Sequence, residues 1–126
     1  MPVLELENKI AKVIRTTPLV RPTDSTQIAA GVTTRLREIF LEAVPEILAD
    51  LDRHEHDCEQ LTRTAHKLKG AAGFVGAKRL WTLVADFEQM VGQYSQEQLQ
   101  YCLAMIKQVL AETEKELRQM PAAGDK

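Results

Sequence analysis

The chain has 126 residues and a formal net charge of −2, with 44% hydrophobic but only 5% aromatic side chains. That length suits one domain with a single core and leaves no room for separate catalytic and regulatory halves. The charge balance gives no positive field for nucleic acid or an anionic membrane. Apolar runs of a few residues exclude a membrane span, and the lack of an apolar leader core after Met1 points to the cytoplasm.

The wealth of Leu, Ala, Glu, Gln, Lys and Arg favours helices. Val3, Leu6, Ile10, Val13 and Ile14 have the spacing of a short amphipathic helix, which Pro18 and Pro22 then interrupt. Residues 1–25 therefore read as an N-terminal extension, either an additional helix or a linker. Four apolar stripes follow. The first runs through Leu36, Phe40, Val44, Ile47, Leu48 and Leu51, with Asp24 or Ser25 as a candidate cap and Pro45 expected to kink or break the helix near Leu41. Asp57 is a candidate N-cap for the second, which carries Cys58, Leu61, Ala65, Leu68, Ala72 and Val75. Gly76 marks a turn; the third stripe holds Leu80, Leu83, Val84, Phe87, Met90 and Val91 and closes at Gly92. Ser95 and Gln98 resemble a capping box ahead of the fourth, from Leu99 to Leu117. Short connections make neighbours antiparallel, so the fold class is all-α, an up-down four-helix bundle over 26–120 with a frayed tail over 121–126. Cys58 and Cys102 both fall on apolar faces and are expected as buried free thiols.

The run Thr64-Ala65-His66-Lys67-Leu68-Lys69-Gly70-Ala71-Ala72-Gly73 stands out. At roughly 100° per residue, His66, Lys69, Gly70 and Gly73 share a side facing away from the apolar seam. Glycine inside a helix costs about 0.5–1 kcal/mol relative to Ala, so two of them beside an outward His suggest a need for access. An unprotonated imidazole has a free lone pair and is a competent nucleophile toward phosphorus. Lys69 stands one turn on, where it can offset the charge of an added phosphoryl group, and Gly70 and Gly73 leave room for it. Arg63, Lys67 and Lys78 flank the same surface, and Arg79 adds charge beyond the turn. No Walker-type loop, nucleotide-binding βαβ pattern or acidic Mg²⁺ cluster is present, so the chain is expected to accept a phosphoryl group but not to draw one from ATP.

The stretch from Ala65 to Gly70, with Gly76 and then Arg79-Leu80, resembles the signature of histidine-containing phosphotransfer (HPt) domains. In that signature a His is followed by Lys three, Gly four and Gly ten residues later. The likeness extends to Phe40-Leu41-Glu42-Ala43-Val44-Pro45-Glu46 and to Phe87-Glu88, over roughly residues 30–117. It implies a carrier between receiver-domain aspartates in a multistep two-component relay, with His66 as phosphoacceptor, Lys69 as charge partner and Gly70 as the clearance position. Glu88 falls where the family often has a Gln or Glu that bonds the ring and sets its tautomer, which would leave Nε2 as the attacking atom. The implied partners are response-regulator receivers and a hybrid sensor histidine kinase. Mg²⁺ is expected in the receiver, and this chain needs no cofactor of its own. Whether it is free-standing or the C-terminal module of a hybrid kinase stays open.

Other readings compete. A non-catalytic adaptor would dock a signalling partner near Lys67 and Gly70 without chemistry. The dimerising region of an autophosphorylating kinase also bears an exposed His, but usually with an acidic residue next; here that residue is Lys67, and four stripes suffice for a monomer. His54, His56, Asp57, Cys58 and Glu59 are explained by a polar turn, so no metal site is expected. Trp81 and Phe74 are expected in core or rim packing, with partner docking as the alternative.

Overall fold

The computed structural model describes residues 3–17 and 30–119, and every regular element in them is helical. α1 spans Val3–Thr16, α2 Ala30–Arg53, α3 Cys58–Phe74, α4 Lys78–Met90 and α5 Gln96–Gln119, with a 3-10 turn over Val91–Gln93 joining the last two. α2 packs on α3 and α5, and α4 completes the ring against the same two neighbours. This is the four-helix bundle expected from four apolar stripes joined by short turns. α3 and α4 run antiparallel: Cys58, opening α3, lies against the Val91 carbonyl beyond the end of α4, while Gly73 near the other end faces Trp81.

Local signals fix the helix boundaries. The Asp57 side chain accepts from the Gln60 amide at 3.1 Å and caps α3. Ser95 and Gln98 form a reciprocal box ahead of α5: the Ser95 amide donates to Gln98 Oε1 at 2.9 Å and the Gln98 amide to Ser95 Oγ at 3.2 Å. Between α3 and α4 the chain reverses at Gly76, whose φ of 70° lies in the left-handed region that suits glycine. Gly92 has no such conformation; the chain leaves α4 through the 3-10 turn, in which Val91 is buried. The expected glycine cap at that end is therefore replaced by a tightened last turn anchored by an apolar side chain.

The core is built from Phe40, Val44, Ile47 and Leu51 of α2, the α3 seam, Leu80, Val84 and Phe87 of α4, and the α5 stripe. α1 belongs to it as well. Leu6 and Ile10 are buried in the same cluster, Lys9 pairs with Asp86 at 3.7 Å, and Arg79 Nε donates to the Thr17 carbonyl at 2.9 Å. These two ties set α1 antiparallel to α4 and resolve the choice between helix and linker for residues 3–16 in favour of helix.

Two expectations need correction. Of the kink or break expected near Leu41, the break does not occur, and α2 runs through Pro45 as one helix. Pro45 lies on the exposed side, while Val44 and Ile47 beside it are each 1% exposed and hold both turns to the core. Cys58 is exposed and only Cys102 is a buried thiol: Cys58 is the first residue of α3, with its Sγ 3.9 Å from the Val91 carbonyl oxygen and one turn ahead of the buried Leu61. Pro18, Pro22, Asp24, Ser25 and the 121–126 tail lie outside the described residues.

Candidate functional site

His66 sits in the middle of α3 on the face opposite Leu61, Ala65, Leu68 and Ala72, and its side chain is 73% exposed. From α4, Glu88 reaches across to it. Nδ1 of His66 and Oε2 of Glu88 are 2.9 Å apart, and the other carboxylate oxygen accepts from Lys69 Nζ at 2.8 Å. Glu88 is only 20% exposed and its neighbour Phe87 is locked in the core, so a buried anchor presents the carboxylate to α3.

Charge fixes the proton positions. The hydrogen bond from the Lys69 ammonium, followed by that from the His66 ring, holds the Glu88 carboxyl below the usual carboxylate range against the opposing effect of its partial burial. An ionised carboxylate only accepts, so His66 must donate through Nδ1–H. In the neutral ring this leaves Nε2, the atom turned away from Glu88, with the free lone pair.

A Cβ built on Gly70 meets nothing within 4 Å, so nothing inside the fold requires glycine there. At Gly73 a Cβ would lie 3.7 Å from Trp81 Cδ1, so the indole fills part of the room expected to be open. Lys69 is not free either, since it is held on Glu88 one turn from the ring. Arg63 pairs with Glu59 on its own helix at 3.7 Å, and Lys67 pairs with Glu46 of α2 at 3.3 Å. Lys78 stands 5.9 Å from the centroid of the Trp81 ring, whereas Arg79 is half-buried and spends its Nε on α1. Arg63, Lys67 and Lys69 thus lie within one turn of His66 on α3, Lys78 stands at the end of the bundle beyond Gly76 beside Trp81, and Arg79 serves packing. Phe74 is exposed at the end of α3, contrary to the expected core or rim packing, whereas Trp81 packs at the rim beside Gly73 and Lys78 while α4 presents Leu80, Leu83 and Val84 to the core.

His56 is bonded to Gln96 at the start of α5 and lies 3.5 Å from Glu55, and among the described residues no three His, Cys, Asp or Glu side chains are grouped to hold a metal ion. No described helix is long and apolar enough to cross a membrane.

Residues 35–122 match the family model of the Hpt domain. This chain belongs to the Hpt domain family. Neither the curated proteins nor the solved structures contain a significant match to it. Hpt domains are helical phosphocarrier modules that carry out histidine phosphotransfer in phosphorelays and interact with receiver domains. The matched residues of this Hpt chain begin within α2 and take in α3, α4 and α5, so α1 lies outside them. Sequence reasoning did not foresee the Lys69–Glu88 pair; its signal was the register of two antiparallel helices across Gly76, which sets Lys69 and His66, one turn apart, against the same residue of α4.

Proposed function

We propose that His66 is the phosphoacceptor of this Hpt domain, taking a phosphoryl group from an aspartyl phosphate of one receiver and passing it to the aspartate of another. The observation that carries this reading is the 2.9 Å approach of His66 Nδ1 to Glu88 Oε2 on a ring whose side chain is 73% exposed: with Nδ1 donating, the neutral ring carries its lone pair on Nε2. In the forward step the Nε2 lone pair forms the N–P bond while the P–O bond to the receiver aspartate breaks, and the carboxylate leaves with the electron pair. The ring, still protonated at Nδ1, gains positive charge that the Glu88 carboxylate stabilises. Lys69, 2.8 Å from Glu88, is near enough to exchange that partner for a phosphoryl oxygen, which distributes the new charge over both side chains. Gly70 keeps the approach to Nε2 clear, and Arg63, Lys67 and Lys78 steer an acidic receiver surface toward it. The Mg²⁺ expected for the transfer belongs to the receiver; this chain's part is to position the nucleophile and balance charge.

The chain acts as a monomer in the cytoplasm, either by itself or as part of a hybrid sensor kinase. A two-stage chase tests the relay. The full chain is labelled by a phosphorylated receiver, purified, and mixed with a second, unphosphorylated receiver and Mg²⁺. Onward movement of the label supports the relay. A chain that binds receivers but never acquires label would instead be an adaptor.

A further inference from the structure

Glu88 serves two donors at once. Its Oε2 lies 2.9 Å from His66 Nδ1, and its Oε1 accepts from the Lys69 ammonium at 2.8 Å. Both members of the Lys69–Glu88 pair are more than two-thirds covered, so their charges act on the ring more strongly than they would in open water. Other charges beside the ring are taken up elsewhere: Lys67 is held by Glu46 of α2, and Arg63 by Glu59 on its own helix. Glu88 from α4 and Lys69 from α3 are therefore the charged groups that bear on His66 among the described residues. For orienting the ring alone, an amide oxygen would serve as well as a carboxylate. What only the carboxylate adds is a negative charge against Nδ1–H.

That charge matters most after the phosphoryl group has arrived. With Nε2 occupied, the ring has one proton left, on Nδ1, and its fate decides how the N–P bond can break. While the proton stays, the phosphorylated ring is a cation. The N–P electron pair then returns to Nε2, and the leaving group is neutral imidazole. Once the proton is lost, the same cleavage expels an imidazolide anion that must be given a proton, and the phosphoryl group is correspondingly inert. An anion bonded to Nδ1–H favours the protonated ring. When Lys69 turns from Oε1 to a phosphoryl oxygen, the full carboxylate charge falls on that bond.

We infer that Glu88 keeps the Nδ1 proton on the phosphorylated ring at neutral and mildly alkaline pH, so that the phosphoryl group on His66 is held ready for release and not stored. Glu88 is then a positioning residue whose charge, beyond its hydrogen bond, sets the lifetime of the phosphohistidine. Release to a carboxylate or to water proceeds without proton uptake by the ring. With water, the water oxygen bonds to phosphorus, the N–P pair returns to Nε2, and the products are inorganic phosphate and a neutral ring still protonated on Nδ1. This inference rests on the reading of His66 as the phosphoacceptor.

The test follows the lifetime of the phosphorylated full chain. The chain is phosphorylated with phosphoramidate, freed of the donor, and monitored by ³¹P resonance across the pH range without receiver or Mg²⁺. Glu88→Gln keeps an oxygen for Nδ1–H and removes the charge, so it separates holding the ring from charging it. The hydrolysis rate is expected to begin falling about one pH unit lower in Glu88→Gln than in wild type, so that at about pH 8 the variant's phosphohistidine lasts about tenfold longer. Toward about pH 5 both rings are protonated and the two lifetimes converge. The ¹⁵N shift of Nδ1 in the phosphorylated wild type needs no variant and is expected to report a proton there in mildly alkaline solution; it decides alone if Glu88→Gln does not fold or take label. Equal lifetimes at every pH, or a wild-type phosphohistidine already without its Nδ1 proton at neutral pH, would overturn the inference and leave His66 the acceptor. A wild-type chain that takes label on a residue other than His66, or from no donor, would overturn the reading beneath it.

Discussion

Glu88 stands 22 residues beyond His66 in the chain and meets its Nδ1 at 2.9 Å, from a position next to the buried Phe87. The bond selects a tautomer, and that can be read directly. The ¹⁵N shifts of the neutral His66 ring are expected to report a protonated Nδ1 and a free Nε2. Glu88→Ala is expected to mix the tautomers and slow phosphoryl transfer by about 10–100-fold, the usual cost of losing a partner that orients a reactive group. Glu88→Gln keeps an acceptor oxygen and recovers part of the rate. An unchanged tautomer in Glu88→Ala would remove Glu88 from the mechanism.

The same carboxylate predicts a pH dependence of stability. Its folded value lies below the ordinary 4.5, chiefly because Lys69 and then His66 bond to the charged form. It therefore contributes stability that is fully present above 4.5 and is lost as the pH falls through the lower folded value. Denaturant unfolding of wild type and Glu88→Gln across the acid range checks this. The stability difference is expected to be level at and above neutral-to-mildly-acidic pH and to shrink below 4.5. A difference that widened toward acid would contradict the assignment.

Gly70 separates fold from function. With open space where its Cβ would stand, Gly70→Gln is expected to fold normally and even gain up to about 0.5–1 kcal/mol of helix stability. Transfer from a receiver is expected to fall by roughly 10²-fold, as the longer side chain displaces the approaching phosphoryl group. Thermal melts paired with transfer rates decide the matter. A variant with normal transfer would show that glycine is not there for access.

α1 lies outside the residues that match the family, yet it completes the core. Leu6 is 2% exposed, so Leu6→Ala is expected to cost about 2–4 kcal/mol, a clear fall in melting temperature. Phosphoryl acceptance from phosphoramidate at a temperature where the variant is folded is expected to be unchanged, because α1 packs on α4 and α5 away from the His66 face. A change below about 0.5 kcal/mol, the usual range for surface substitutions, would mean that α1 is dispensable to the bundle.

Much of this was legible from residue spacing. Each of the four stripes became a helix, Asp57 and Ser95 cap as their types suggest, and the angular offset of His66 from the α3 seam leaves it exposed as expected. The misread positions are those where tertiary packing outweighs a local rule. Pro45 is carried within α2 by the buried Val44 and Ile47 on either side of it, and Cys58, the first residue of α3, is exposed. Phe74 has the character of a core residue, and only its place at the end of α3 puts it outside. The Lys69–Glu88 pair spans two helices, and no periodicity within either could reveal it.

The most direct measurement is the identity of the phosphorylated atom. After incubation of the full chain with a phosphorylated receiver and Mg²⁺, the account predicts an adduct that is acid-labile and alkali-stable, maps to His66, and is absent from a His66→Gln variant whose melting temperature matches wild type. Label retained by His66→Gln, or an acid-stable adduct on another residue, would contradict it.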